Sequence, residues 1–371
     1  MVGFPVQFSY FCWPVHFPYV MPTFPTLLLL PLAWLYAGVM RVRNWLYASG
    51  IKNSEQFSVP VLNVGNLRVG GTGKTPHVAW LTSQLRRHGQ HPAILSRGYG
   101  RQTSGYRLAT PLDTAQTIGD EPRQYAQLFA GQVPVAVSED RCAGIRQLLA
   151  LPQPPTIVVL DDAYQHRRVR PTFNLLLTEQ QRPFYQDYVL PAGRLRENRA
   201  GARRADVVVV TKCDPHLSPD QQQAIVRAVR RYARPQVPVL FSAYHYGAPV
   251  TVNATHVVDS QEIVLLTGIA NPAPLRAYLE SAGYHIRHHA AFPDHHLFSA
   301  AELRAVSAQL RPGVSVFTTH KDAARLLVPA LRAVVADWPL FYIPIDVQFL
   351  ADGESRLLAL LTPYFQPHAV A

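Results

Sequence analysis

Cysteine is scarce and scattered: Cys12, Cys142 and Cys213 are the only three in 371 residues. Their odd number and wide spacing speak against a disulfide framework, point to a reducing compartment, and offer no pair at metal-site spacing. Charge is absent from the first forty residues, which contain no Asp, Glu, Lys or Arg. That order does not fit a secretory signal, whose positive charge precedes the apolar run and whose small-residue cleavage site follows it. Here residues 27–40 are apolar, and Arg41, Arg43 and Lys52 come afterwards, which keeps the following domain in the cytoplasm. A long apolar run is also missing, since this one is interrupted by Pro31 and falls short of the ~20 residues of a spanning helix. With Trp34, Tyr36, Trp45 and Tyr47 suited to a headgroup region, the segment reads as an interfacial or shallowly inserted anchor. A helix buried against the core is the alternative. Residues 1–20 are aromatic, proline-containing and patternless, and Met21 would make a sensible alternative start.

Acidic residues are few as well, 24 against 35 Lys plus Arg, a net charge of +11. The excess calls for an anionic partner, either nucleic acid or a phospholipid surface. No module of interleaved basic and aromatic residues supports nucleic acid, and no repeat of diagnostic period is present. His285, His288, His289, His295 and His296 cluster, but apart from Asp294 they lack the Cys or carboxylate partners of a zinc site.

What is present is a phosphate-binding loop. Residues 59–64 are short, apolar and β-branched, as a buried strand should be, and residues 75–85 place Val78, Ala79, Leu81 and Leu85 at helical spacing. Between them lies Gly70-Gly71-Thr72-Gly73-Lys74-Thr75. Gly70, Gly71 and Gly73 allow successive amides to turn inward around a polyphosphate at a helix N-terminus. Lys74 would reach the β- and γ-phosphates, and the Thr75 hydroxyl would help hold Mg²⁺. The strict form G-x-x-x-x-G-K-[ST] lacks its first glycine, because Arg68 stands there. The bland alternative is a glycine-rich turn with a chance Lys-Thr after it.

Further along, residues 156–160 form a buried apolar strand that delivers Asp161 and Asp162, the Walker B arrangement in which acid reaches the Mg²⁺ shell. Two adjacent aspartates repel, and a divalent cation would relieve them. Arg97 follows a strand over residues 91–96, where open α/β sheets bind ligands. Asp120 and Glu121 open a helix, where capping alone would explain them. Thr211-Lys212-Cys213-Asp214 resembles the guanine-reading pattern of P-loop GTPases and supports a rival reading as a GTPase or metallochaperone-like NTPase. From about residue 250 a fresh series of strands and helices begins, with residues 340–347 as a return crossing. The class is therefore α/β: a P-loop NTPase core, mostly parallel with helices on both faces, plus a smaller α/β domain and a membrane-associated N-terminal helix. The expected divisions are 1–24 (an extension), 25–50 (the helix), 51–249 (the core), 250–347 (the smaller domain) and 348–371 (a last helix and tail).

Eight blocks in order resemble the tetraacyldisaccharide 4′-kinases, which phosphorylate a lipid A precursor in Gram-negative bacteria. They are Trp34-Leu35-Tyr36 with Arg43-Asn44-Trp45-Leu46-Tyr47; Val64-Gly65-Asn66 leading into the loop; Ser96-Arg97-Gly98-Tyr99-Gly100; and Gly119-Asp120-Glu121-Pro122. Asp161-Asp162-Ala163-Tyr164-Gln165-His166, Pro191-Ala192-Gly193-Arg194-Leu195-Arg196-Glu197, Gly268-Ile269-Ala270-Asn271-Pro272 and Asp294-His295 complete the set. The resemblance implies ATP and Mg²⁺, and transfer of the γ-phosphoryl group to the 4′-hydroxyl of an acylated glucosamine disaccharide 1-phosphate. The reaction would take place at the cytoplasmic face of the inner membrane, on its lipid surface, with neither nucleic acid nor an obligate protein partner. It also implies roles. Lys74 and Thr75 fall on the phosphate and magnesium positions, Asp161 and Asp162 on the Walker B acids, and Asp120 on the catalytic aspartate. His295 falls on the histidine paired with it, with His296 the neighbouring alternative. Asn66, Arg97, Arg196 and Glu197 fall on substrate-side blocks. Arg68, Ala163-Tyr164 and His320 depart from the family pattern.

Overall fold

The computed structural model describes residues 24–252, 258, 260–294 and 296–366. The chain enters through α1 (Phe24–Ala48), which carries Pro31 inside it. β1 (Val61–Asn66), α2 (Lys74–Arg87) and β2 (Pro92–Ser96) follow, then β3 (Arg107–Leu108), α3 (Ala115–Ile118) and α4 (Asp120–Phe129). β4 (Val135–Val137), α5 (Arg141–Leu149), β5 (Ile157–Asp161), β6 (Phe173–Glu179), β7 (Val207–Thr211), α6 (Pro219–Arg230) and β8 (Val239–Tyr246) complete the first run. Polar caps fix the helix starts: Asp140 accepts from the amides of Cys142 and Ala143 at α5, and Ser218 forms a reciprocal box with Gln221 at α6.

The second run is β9 (Val250–Thr251), β10 (Glu262–Thr267), α7 (Ala273–Ser281), β11 (His285–Ala291), α8 (Ala300–Ser307), β12 (Ser315–Thr319), α9 (His320–Leu326), α10 (Pro329–Val335) and β13 (Leu340–Ile343). β14 (Ile345–Phe349) and α11 (Gly353–Leu361) end the described chain. The strands form two sheets. The larger has nine strands in the order β14-β8-β7-β6-β1-β5-β2-β4-β3, and the smaller has five, β11-β10-β12-β13-β9. In the larger sheet only the outermost pairings, β14 with β8 and β3 with β4, are antiparallel. Residues 340–347, expected as one return crossing, are two strands split at Pro344, one in each sheet.

Side-chain alternation along β1 explains the layers. Leu62 and Val64 face a core filled by α2, α4 and α11, while Val61 faces the other side, where α5 packs. Beyond it on that second side α6 places Ile225 and Val229 over β7 and β8. β1 is central, and its partner β5 ends beside it, with Val64 opposite Asp161. The loops leaving β1 and β5 therefore emerge together, where an open α/β sheet binds ligands.

α1 lies differently. Ala33 is buried, whereas Leu28, Trp34, Leu35 and Val39 are at least 60% exposed. Its second half is tied to the core: Tyr36 donates to the Arg196 carbonyl at 3.0 Å, Arg43 to the Gln165 carbonyl at 2.7 Å, and Asn44 to Glu197 at 2.9 Å. Among the described residues no helix is long and apolar enough to cross a membrane.

Candidate active site

The loop between β1 and α2 uses its glycines as the sequence requires. Gly70 has φ +113° and Gly73, at the start of α2, has φ +84°, a region that L side chains avoid. A Cβ on Gly73 would also meet the Tyr244 hydroxyl at 2.8 Å. Neighbouring side chains hold the loop. Asn66 Nδ2 donates to Thr72 Oγ1 at 2.6 Å, Thr211 Oγ1 donates to the Thr72 carbonyl at 2.9 Å, and Lys212 Nζ donates to the Gly71 carbonyl. Beneath it, buried His77 bonds through Nδ1 to the Gly73 carbonyl at 2.7 Å and through Nε2 to Ser242 at 3.0 Å. Burial pushes His77 down to about 4, against the raising effect of the Gly73 bond, so the ring is neutral near pH 7.

Two sequence expectations change meaning here. Arg68, in place of the missing glycine, leaves the phosphate cradle and reaches Asp187 at 2.6 Å and Glu179 at 3.4 Å. Glu179 also takes Lys212, whose ammonium lies 6.0 Å from the Tyr244 ring. Thr211 and Lys212, the core of the guanine-reading pattern, thus brace the phosphate loop. Asp214 is exposed, and its carboxylate accepts from the His216 amide at 2.9 Å.

The two aspartates differ sharply. Asp161 is 3% exposed, and Ser96 Oγ donates to its Oδ2 at 3.1 Å. Its Oδ1 is buried and has no hydrogen-bond partner among the described residues. Burial, then the charges of Asp162 and Glu121, raise Asp161 to about 7 against the pull of Lys74 and Ser96. Asp162, with φ +53°, is bound on both oxygens by Arg196 at 2.9 Å, and Lys74 Nζ lies 3.6 Å away. Burial would raise it too, but Lys74 and Arg196 overcome that and hold it below the usual carboxylate range. A buried carboxylate oxygen with no hydrogen-bond partner, on a side chain that shares the neighbourhood of the Tyr125 hydroxyl with half-buried Thr75, is a donor set that suits Mg²⁺. The Tyr125 hydroxyl from α4, missed in the sequence, is buried beside Thr75 and Asp161. Arg141, also missed, is 3% exposed and donates to the Ser138 carbonyl at 2.8 Å.

The expected substrate-side residues separate. Arg97 is exposed at the end of β2. Asn66 is fully buried and braces the loop. Arg196 is spent on Asp162. Glu197 is 1% exposed and accepts from Arg204 at 2.7 Å, Gln165 at 3.0 Å and Asn44 at 2.9 Å.

Asp120 sits at the first turn of α4, facing α9 of the smaller domain. Arg325 Nε donates to its Oδ1 at 3.3 Å, Arg325 Nη2 pairs with Oδ2, and Lys321 Nζ is 4.0 Å from Oδ2. Lys321 also lies 3.8 Å from Glu121 and 3.7 Å from Asp294. Lys321 and Arg325 share a face of α9 at i,i+4 spacing, which is the signal that would have found them together. His295 lies outside the described residues. His296 bonds to Glu302 at 3.1 Å.

The family pattern described as tetraacyldisaccharide-1-P 4′-kinase matches residues 25–363. The chain belongs to this kinase family. A tetraacyldisaccharide 4′-kinase of Cytophaga hutchinsonii is 41% identical over 338 residues, 90% of this chain and 94% of that protein. One from Bacteroides thetaiotaomicron is 40% identical over 88% of this chain and 90% of its own length. A solved structure of the family, "apo" form LpxK from Aquifex aeolicus in complex with ATP, aligns with a TM-score of 0.71 at 28% identity, covering 92% of this chain and all of that one. The kinase family match spans both sheets and every site described above.

Proposed function

We propose that this chain is the lipid A 4′-kinase that its family name describes. It would transfer the γ-phosphoryl group of ATP to the 4′-hydroxyl of a tetraacyldisaccharide 1-phosphate. The match over residues 25–363 carries this reading, and the site supports it chemically. Gly70, Gly71, Thr72 and Gly73 present the amides that cradle a polyphosphate, and Lys74 supplies positive charge at its far end. Thr75 and Asp161 would hold Mg²⁺, which when bound offsets charge on the phosphate oxygens; Asp162, expected as a further ligand, has both oxygens on Arg196 and holds Lys74 beside the loop. Asp120 is the general base. The sugar hydroxyl oxygen bonds to the γ-phosphorus, the bond from that phosphorus to the β,γ-bridging oxygen breaks, ADP departs, and the hydroxyl proton passes to Asp120. His295 would be its imidazole partner, a role that rests on the resemblance of Asp294-His295 to the family's motif. Arg97, exposed beside the site, is free to meet the acceptor's phosphate, whereas Asn66 holds the loop, Arg196 holds Asp162, and Glu197 ties Asn44 of α1 to Gln165 and Arg204.

The same reading places the enzyme on the cytoplasmic face of the inner membrane. Its support is the apolar outer face of α1, followed by Arg41, Arg43 and Lys52, with a net charge of +11 suited to an anionic lipid surface. Residues 51–246 together with 345–361 make up the P-loop core, rather than 51–249 alone, and 247–344 the smaller domain that closes on it, since β14 and α11 return to the large sheet. Neither nucleic acid nor an obligate protein partner is needed.

The test is transfer of ³²P from γ-labelled ATP to an acylated disaccharide 1-phosphate in detergent micelles. Labelled lipid should form with the wild type and be lost in Lys74→Ala and Asp120→Ala. Hydrolysis of GTP without any lipid acceptor, and no labelled lipid, would overturn the reading in favour of an NTPase.

A further inference from the structure

The residue that meets Asp120 comes from the other domain and is itself rigidly built. Arg325 has a side chain only 4% exposed. Its Nη1 donates to Asp322 Oδ1 at 2.9 Å and to the Gly268 carbonyl at 3.2 Å. Asp322 is fully buried and fixed in turn by the Gly268 amide at 2.9 Å and the Thr319 hydroxyl at 2.8 Å. The guanidinium is therefore oriented from within the smaller domain, leaving its other edge to span the cleft and take both oxygens of Asp120. A planar fork fixed on one side is suited to holding a carboxylate in one orientation. Arg325 Nε reaches Oδ1 at 3.3 Å and Nη2 pairs with Oδ2, so the carboxylate plane is set by the guanidinium plane.

We propose that Arg325 is a positioning residue of the phosphoryl transfer: it docks the smaller domain onto Asp120 and holds that carboxylate in one orientation for the acceptor hydroxyl. The inference rests on Asp120 being the base, and it explains why the base is productive only when the domains meet. Water entering an open cleft would find an Asp120 that lacks its orienting fork, so wasteful hydrolysis is limited without a separate lid. Among the described residues, the charged groups around Asp120 include Arg325 and Lys321 on α9 and Glu121 on α4, with Asp294 beside Lys321.

The experiment compares wild type, Arg325→Gln and Arg325→Lys in the labelled-lipid assay, with urea denaturation of the same proteins and of Asp120→Asn and the double variant. Arg325→Gln should lower kcat about 10- to 100-fold through misorientation while KM for ATP stays within about twofold, since the phosphate loop is on the other domain. Arg325→Lys keeps the charge without the fork and should recover part of kcat. The denaturation midpoints of Asp120→Asn and Arg325→Gln should be non-additive in the double variant. A kcat for Arg325→Gln within twofold of wild type overturns the proposal, as does equal loss in the Lys and Gln variants accompanied by an equal fall in midpoint, which would make the residue structural only. Failure of the wild type to label lipid defeats the underlying assignment instead, and the midpoints are read without any substrate.

Discussion

Asp161 is an acid whose surroundings oppose its ionisation, and this has a measurable sign. Its carboxyl is raised to about 7 by burial and by the charges of Asp162 and Glu121, so the folded protein binds that proton more tightly than the unfolded chain. Its contribution to stability is complete below the ordinary carboxylate range and is lost as pH rises through about 7. Metal-free protein should therefore melt at a lower temperature at pH 8 than at pH 6, and Asp161→Asn should remove that part of the pH dependence while abolishing lipid phosphorylation. Thermal melts in EDTA check this, and an unchanged slope in the variant would show that the burden lies elsewhere. His77 contributes with the opposite pH sense. With its ring pushed down to about 4, the stability it gives is present above the ordinary histidine range and lost as pH falls toward 4.

Arg68 marks the limit of residue-level reading. The placement of residues 70–75 between β1 and α2, and of Asp161 and Asp162 at the end of β5, was legible because short patterns between a strand and a helix carry it. The destination of Arg68 was not, since Asp187 and Glu179 lie more than a hundred positions away and the pairing depends on tertiary folding. Substituting Arg68→Gly to restore the strict pattern should destabilise the protein by about 1–3 kcal/mol, because it removes the cation from partly buried Asp187, leaving it only backbone donors, and one of the two cations on Glu179. Chemical denaturation reads the difference, and a gain in stability would refute the account.

At the scale of elements, the strands of the large sheet were legible from continuous apolar runs and α2 from its periodicity. β3, β8 and the split at Pro344 were not, because edge strands and crossings are set by what pairs with them. α1 shows how far composition goes. Its apolar run and following positive charges were visible in the sequence, but its attachment through Asn44 to Glu197 was not. Glu197→Ala would leave half-buried Arg204 without its carboxylate and release Asn44, an expected cost of about 2–4 kcal/mol. The outer face of α1 should behave independently. Leu28→Glu with Leu35→Glu, both highly exposed, should lower co-sedimentation with anionic vesicles while leaving the melting temperature unchanged. Equal vesicle binding by that variant would remove α1 from the membrane contact.

On the scale of the whole molecule, the five-stranded sheet and its helices are inserted between two strands that are already neighbours. β8 and β14 pair antiparallel, with Tyr246 opposite Ile345 and the Gly247 amide donating to the Pro344 carbonyl at 3.0 Å. The chain thus leaves and re-enters the large sheet at one place. The apolar clusters agree, since those of the smaller domain draw on residues between Tyr246 and Ile343 and share none with the core's. Replacing residues 247–344 by Asn-Gly would convert the excursion into a two-residue hairpin turn. The shortened chain should fold cooperatively as the nine-stranded core and bind ATP within about tenfold of the full protein, because the phosphate loop and Asp161 lie wholly within that core. It should not phosphorylate lipid, having lost Arg325 and everything else the smaller domain brings to Asp120. Circular dichroism with denaturation and calorimetric ATP binding would separate these outcomes. A chain that does not unfold cooperatively would mean that the α4–α9 contact is needed for folding as well as for chemistry.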